Sequence, residues 1–338
     1  MEQTSEKPKR KVFRWIFLVV LVLNILAASA FPPVQPHVQL PAENVSHNPL
    51  FGNFYLTNTL IATLIADVLI ILLAISINRQ IKKGKDVVTG IGGVVAFILE
   101  GLYNMTESTA GKFARKIFPY FATIFLLVLI VNWMELIPGV DSIGIIHEAE
   151  EHGAPVEEII PGVVTLVKTD EQHDEEVGHG YGLIPYVRVA STDLNFTLAL
   201  ALSSVVMTQV VGISALGPGY FKKFFAFSSI GKSFKQVRLG NPLDFIKGLI
   251  DVIVGFLEII AEIAKIISFS FRLFGNIFAG SVMLFVLGTM VPVFIQFGLL
   301  GLEMFVGAIQ AFVFGMLTMV FMSQATVSHG DHGEEHAH

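Results

Sequence analysis

The sequence predicts an all-α polytopic membrane protein. Its parts are about five transmembrane helices after a signal peptide, one interfacial amphipathic helix, and a long tilted helical hairpin at the C-terminal end. Three observations predict it. Hydrophobic residues fill 53% of the 338 positions and charged ones only 15%, with a mean hydropathy of +0.67, which is not the balance of a soluble domain. The apolar residues fall in runs of ~20 or more, the length a helix needs to cross ~30 Å of hydrocarbon. The charges are sorted along the chain, so the net charge of −6 hides separate basic and acidic segments.

The elements follow in order. Lys7, Lys9, Arg10, Lys11 and Arg14 precede an apolar stretch from Ile16 to Ala28, then Ala28-Ser29-Ala30 and Pro32-Pro33. A basic start, a short apolar core and an A-x-A-like site read as a signal peptide over 1–30, with an extra anchor helix as the other reading. Residues 31–55 then form an extracytoplasmic segment, and 56–327 the membrane domain. Its first span runs near Leu56–Ile77. The Gly-rich stretch 89–104 is only moderately apolar and suits a helix lying at the interface. Spans follow near 119–137 and 194–216. The pair 243–290 and 293–322 exceeds the ~20 residues of a perpendicular helix, so both should tilt. Gly288 and Pro292 punctuate the turn between them, and a His-rich tail, 328–338, ends the chain.

Positive charge sets the orientation. Segment 78–117 carries Arg79, Lys82, Lys83, Lys85, Lys112, Arg115 and Lys116, and segment 217–241 carries Lys222, Lys223, Lys232, Lys235 and Arg238 without an acid. The loop 138–192 has only Lys168 and Arg188 against a long series of Asp and Glu. Basic segments stay in the cytoplasm and the acidic loop goes outside. The mature N-terminus is then outside and the C-terminus cytoplasmic.

Other chemistries are weakly supported or excluded. With no cysteine there is no disulfide, thiolate catalysis or Cys-type metal centre. No Gly-rich phosphate loop follows a strand. His147, His152, His173, His179 and the tail histidines lack a fixed metal-ligand spacing, so they read as solvated segments and no metal site is assigned. No cofactor is called for.

Arg272 is the residue to explain. It sits inside an apolar run, and its guanidinium cannot shed its proton as lysine can. An unpaired arginine at a bilayer centre costs roughly 2.5–3.5 kcal/mol, so it must face protein, water or a carboxylate. Lys265, Glu258, Asp251 and Asp244 precede it at steps of seven, two helical turns each, and form one shallow stripe. Glu262 and Asn276 lie three or four residues from stripe members and widen it. The next apolar segment repeats the spacing with Gln296, Glu303 and Gln310. Two such stripes are what an aqueous ion path through a low-dielectric slab needs, although a mutually neutralising ladder without transport is the alternative for Lys265, Glu258, Glu262 and Asp251.

At these residues the chain resembles the a subunit of F-type ATP synthases. Phe271-Arg272-Leu273-Phe274-Gly275-Asn276-Ile277-Phe278-Ala279-Gly280 is similar to that family's most characteristic stretch. Ser191-Thr192-Asp193-Leu194-Asn195-Phe196-Thr197 resembles its Asp-x-Asn-x-Thr helix opening, and Asn132-Trp133-Met134-Glu135-Leu136-Ile137-Pro138 its Asn-x-x-acid-x-x-Pro helix end. Gln310-Ala311-Phe312-Val313-Phe314, seven residues after Glu303, resembles the final helix. The likeness spans roughly Phe51 to Val327.

The resemblance implies a non-catalytic stator subunit in a bacterial plasma (inner) membrane. Its partners would be a ring of c subunits, the b-subunit peripheral stalk, the rest of the complex and the lipid bilayer, with no nucleic acid. It further implies two offset half-channels, with Arg272 facing c-ring carboxylates, and it matches Glu258 and Lys265 to family positions. Asp193, Asn195, Asn132 and Glu135 would stand at helix ends or channel mouths. Whether H⁺ or Na⁺ is carried would be set on the c subunit. One departure stands out: where the family usually places Glu or His, nine residues after the arginine, this chain has Ser281. A hydroxyl orders water but does not exchange protons near neutrality. Either Glu303 carries the relay, alone or with Glu262 or Glu258, or Ser281 merely relaxes a water-filled site. Asp67, mid-span in the first helix, reads equally as a stalk contact or a proton group. A self-contained transporter would need inverted repeats and a midplane ligand cluster, neither of which is visible. A pure scaffold would not need Arg272.

Overall fold

The computed structural model describes residues 41–46, 48–49, 52–83, 88–149, 156–160, 163–166, 180–223, 242–290 and 294–327, with five isolated positions between 15 and 26. The signal segment as a whole, His152, His173, His179, the histidine tail, the basic segment beyond residue 223 and the turn at Pro292 lie outside the described residues, as do the side chains of Asp244 and Asp251.

Six helices carry the described residues: α1 (Asn58–Lys82), α2 (Ile91–Ala110), α3 (Ala114–Trp133), α4 (Leu194–Leu216), α5 (Pro242–Met290) and α6 (Phe294–Ala325). Local chemistry sets their ends. Thr57 caps α1, its Oγ1 accepting from the Leu60 amide at 3.3 Å. Arg79 and Lys82 occupy the last turn of α1, where the helix dipole favours cations. Gly111, at φ +50°, breaks α2 from α3 in a conformation that costs glycine little. Gly217, at φ +63° and followed by Pro218, stops α4. Pro242 opens α5 in the first turn, where its missing amide would have no intrahelical acceptor.

Four helical stretches among the described residues are long and apolar enough to cross a membrane: Asn58–Lys82, Ile91–Leu136, Leu194–Tyr220 and Gln296–Ala325. The expected interfacial helix and the expected span at 119–137 join, through the short helical turn Gly111–Phe113, into a single 46-residue apolar run. One perpendicular crossing uses ~20 of these residues, which leaves α2 free to lie elsewhere. The fifth expected span corresponds to α5, which runs 49 residues and carries the charged stripe.

In the acidic loop, expected only as a solvated connection, the described residues include two antiparallel strand pairs. β1 (Gly144–Ala149) pairs antiparallel with β4 (Gly180–Pro185), and β2 (Val156–Ile160) pairs with β3 (Val163–Leu166). Glu157 and Glu158 lie between Val156 and Ile160 in β2, and the β-branched cross-strand pair Ile160↔Val163 helps sustain the ladder despite the charge. Gly144 is needed in β1, because a Cβ would collide with the Ile184 carbonyl.

The chain divides into two compact units. One draws on the chain up to Thr63, Val131–Asp193 and Asn276–Ala308; the other on Leu64–Ile130, Leu194–Gly275 and Ile309 onward. In the second, Gly315 lets α6 approach the Phe121 ring, and Phe269 meets Phe314 in a tilted pair and Phe321 in a stacked one, at centroid distances of 5.2 and 5.6 Å. In the first, Asn132 Nδ2 donates to the Gly307 carbonyl at 3.1 Å and Trp133 Nε1 to the Met304 carbonyl at 3.0 Å, tying the end of α3 to α6.

Candidate functional site

The first unit holds an acid cluster. Glu135 stands in the short helical turn Met134–Leu136 that ends α3, where the Ser281 hydroxyl of α5 donates to its Oε1. Glu303, 5% exposed, presses its carboxyl on α5 at Gly280, where any Cβ would collide with it. Glu135 and Glu303 lie within electrostatic reach of each other. Three segments distant in sequence thus meet at Glu135, Ser281 and Glu303. Ser281, which cannot itself carry a proton near neutrality, holds the Glu135 carboxyl in place.

Around this cluster the helix-end residues are structural ties. Ser191 Oγ donates to Asn132 Oδ1 at 2.6 Å, so Asn132 is satisfied on both sides of its amide. Asp193, buried just before α4, accepts from Thr59 Oγ1 at 3.2 Å and links that helix start to α1. Asn195, in the first turn of α4, also makes a polar interaction within the protein.

Asp141 lies just beyond. Pro138-Gly139, with Gly139 at φ +95°, forms a turn closed by the Val140 amide on the Ile137 carbonyl at 3.3 Å. That turn brings Asp141 within electrostatic reach of Glu135 and of Arg188, which follows β4. Burial pushes the Asp141 carboxyl up to about 6, with Arg188 opposing the rise. Asp141 Oδ1 is buried without a hydrogen-bond partner.

The second unit holds the charged stripe. Lys265 Nζ pairs with Glu262 Oε1 at 2.9 Å and lies 4.8 Å above the Phe321 ring, so this part of the stripe is internally neutralised. Tyr220, almost fully buried, donates from its hydroxyl to Gln209 Oε1 at 2.7 Å and comes within electrostatic reach of Glu262 and Glu258. Polar pairs continue along α4: Thr197 with Ser270 at 3.2 Å and Ser204 with Thr318 at 2.7 Å.

Arg272 also belongs to this unit, half-buried. Its Nη2 donates to Ser268 Oγ at 3.2 Å, and its guanidinium carbon sits 5.8 Å from the Phe269 ring centre. Among the described residues it pairs with no carboxylate. Ser268, Phe271 and Gly275 beside it are exposed, and a Cβ at Gly275 would meet open space. Asn276 is exposed, and Gln310 is half-buried. Asp67 is exposed on α1 among Leu64, Val68 and Ile71.

Of the residues singled out in the sequence, the structure brings Glu135, Ser281 and Glu303 together, and separately Glu258, Glu262 and Lys265. Asp141, Arg188, Tyr220, Gln209, Ser204 and Thr318 were not anticipated. Ser204 had a visible signal, since it follows Thr197 by seven residues on one helical face.

Several apolar helices that hold acids inside the protein and a half-exposed arginine define a class: a multi-pass membrane protein built to accommodate charge within the hydrocarbon layer. Comparison with known proteins narrows this class. The family model described as ATP synthase A chain matches residues 60–323. A Mycobacterium ulcerans protein named ATP synthase subunit a is 28% identical over 285 residues, covering 82% of this chain and 89% of its own length. Proteins of the same name from Moorella thermoacetica and a Shewanella species are 25% and 31% identical, covering 78% and 73% of this chain and 88% and 77% of their own lengths. The chain belongs to the ATP synthase A chain family, non-catalytic subunits of the membrane sector of that complex.

Proposed function

We propose that this chain is the proton-translocating stator subunit of an F-type ATP synthase, with two offset half-channels and Arg272 facing the carboxylates of a c-subunit ring. The observation that carries this reading is the state of Arg272. A half-buried guanidinium whose contacts are a hydroxyl and an aromatic ring is incompletely compensated, and it lies beside exposed small residues that permit close approach of another helix. A carboxylate on a neighbouring subunit supplies what is missing. Along α5, Arg272 follows Glu258, Glu262 and Lys265 and precedes Ser281; the Glu258–Glu262–Lys265–Tyr220 group and the Glu135–Ser281–Glu303 group serve as the inner and outer half-channels. An opposite charge within ~4–6 Å favours the ionised form of a carboxyl. Each rotor carboxyl therefore gives up its proton opposite Arg272 and is neutral elsewhere, where it must cross lipid. Fixed positive charge bars a direct proton path, so flow requires rotation. Asp67, exposed on an apolar helix face, is assigned to contact with the b-subunit stalk.

The cluster can be tested in the assembled complex. Glu135→Gln should lower ATP-driven proton pumping by about ten-fold or more, since positioned proton-transfer groups contribute ~10²–10⁴ in favourable cases. Pumping at the wild-type rate removes Glu135 from the path. Topology is tested separately. Because the chain has no cysteine, Gly153→Cys and Ser229→Cys should react with an impermeant maleimide from the outer and cytoplasmic faces respectively. Reaction of both from one face overturns the orientation.

A further inference from the structure

We infer that Asp141 is the outermost proton-carrying group of the half-channel that ends at Glu303, taking protons from water beside the β1–β4 strand pair and passing them to Glu135. This rests on the proton-path reading above and extends it to a residue outside the membrane-spanning helices.

Three observations converge on Asp141. The turn at Pro138-Gly139 places its carboxyl within electrostatic reach of Glu135, the acid held by Ser281. Its Oδ1 is buried and accepts no hydrogen bond from the protein. A buried carboxylate oxygen without a donor is costly, so that atom calls for either a proton of its own or an ordered water, and both are what a relay uses. Finally, Arg188 lies within electrostatic reach, while its Nη1 donates to the Pro41 carbonyl at 3.2 Å. A cation there keeps the carboxyl from being locked in its neutral form.

Among the described residues, the charged groups acting on Asp141 are Arg188, on the segment after β4, and Glu135, at the end of α3. Burial and Arg188 together set the Asp141 carboxyl at about 6. Such a group both accepts a proton from water and releases it near neutrality, whereas an ordinary exposed aspartate at ~3.9 would hold a proton too rarely. The transfer is balanced. A proton from water or buffer binds the Asp141 carboxylate, then moves through water to the Glu135 carboxylate, which restores the ionised Asp141.

The test is ATP synthesis by the whole complex in proteoliposomes. The pH on the side of the catalytic head is fixed, the pH on the opposite, extracytoplasmic side is varied, and a compensating potential keeps the driving force constant. Wild type should slow as the pH on the extracytoplasmic side rises through about 6, because the protonated fraction of Asp141 falls there. Asp141→Asn should lose that inflection and run about ten-fold slower, less than the ~10²–10⁴ of a sole proton-transfer group because water gives a parallel route. Arg188→Gln removes the charge favouring the carboxylate, so its inflection should move to higher pH; Arg188→Lys should leave it in place. A merely structural role for Asp141 predicts no such shift, and Arg188→Gln reads it without touching the carboxyl if Asp141→Asn fails to assemble. An unmoved inflection in Arg188→Gln, or a wild-type profile in Asp141→Asn, overturns the inference. If Glu303→Gln still blocks synthesis while both these variants behave as wild type, the proton path stands and Asp141 is outside it.

Discussion

Replacing Arg272 by Ala should abolish both ATP-driven proton pumping and proton-driven synthesis while the complex still assembles. Assembly should survive because Arg272 makes only a hydroxyl bond to Ser268 and a ring contact with Phe269. Neither ties distant segments together, and the buried faces beside it are held by Phe269, Leu273 and Ile277. Function should fail because an arginine beside a carboxyl lowers its pKa by ~1–3 units, so losing it cuts the ionised rotor population by roughly 10- to 1000-fold. Arg272→Lys should recover little. An ammonium is a compact, hydrated point charge that can deprotonate when buried, and it lacks the planar fork that fits a carboxylate. Full coupled activity in the Ala variant removes the stator assignment. The readout is proton pumping in vesicles, beside immunodetection of the assembled complex.

The second large effect is expected at Glu303. Glu303→Gln should impair pumping by about a hundred-fold, within the range that positioned proton-transfer groups contribute. Ser281→Ala should cost much less, because it removes the hydroxyl that orients Glu135 but leaves both carboxyls. Placing Glu at 281 together with Gln at 303 should restore part of the rate, since a protonatable group returns to the same cluster. Wild-type pumping in Glu303→Gln would shift attention to Glu135 as sole carrier. Equal losses in Ser281→Ala and Glu303→Gln would mean that the hydrogen bond, not the proton site, is what matters.

Much of the fold was legible because lipid imposes a simple rule: backbone polar groups must be satisfied within the helix, so apolar runs and helices coincide. The run at 194–216 corresponds to α4, Leu194–Leu216, residue for residue. The strand pairs of the acidic loop were not legible, because short segments rich in Glu and Gly carry no clear alternation to announce pairings such as Val156 with Leu166 and Ile146 with Leu183. For the site, a seven-residue rhythm exposed the α5 stripe, since neighbours on one helix are fixed by its pitch. Contacts between segments have no such rhythm. Glu135 and Ser281 are 146 residues apart, and no local pattern announces that they bond. Position 281 illustrates the consequence. Read along the chain, serine is a missing titratable group; read in space, it anchors one.

Asp141 was hidden for a related reason. Within a loop crowded with acids, nothing in the sequence separates Asp141, whose Oδ1 folding buries. Its distinction comes from the Pro138-Gly139 turn, which redirects the chain toward Glu135 just past the end of α3.

The central claim is that protons cross only by riding the rotor, because Arg272 bars a direct path. Its most direct test is proton leak through the intact complex with the rotor held still by cross-linking in the catalytic head. With a potential imposed, wild-type vesicles should show no leak above protein-free vesicles, and Arg272→Ala vesicles should leak. A wild-type complex that conducts with its rotor locked, or an Arg272→Ala complex that remains tight, would contradict the account.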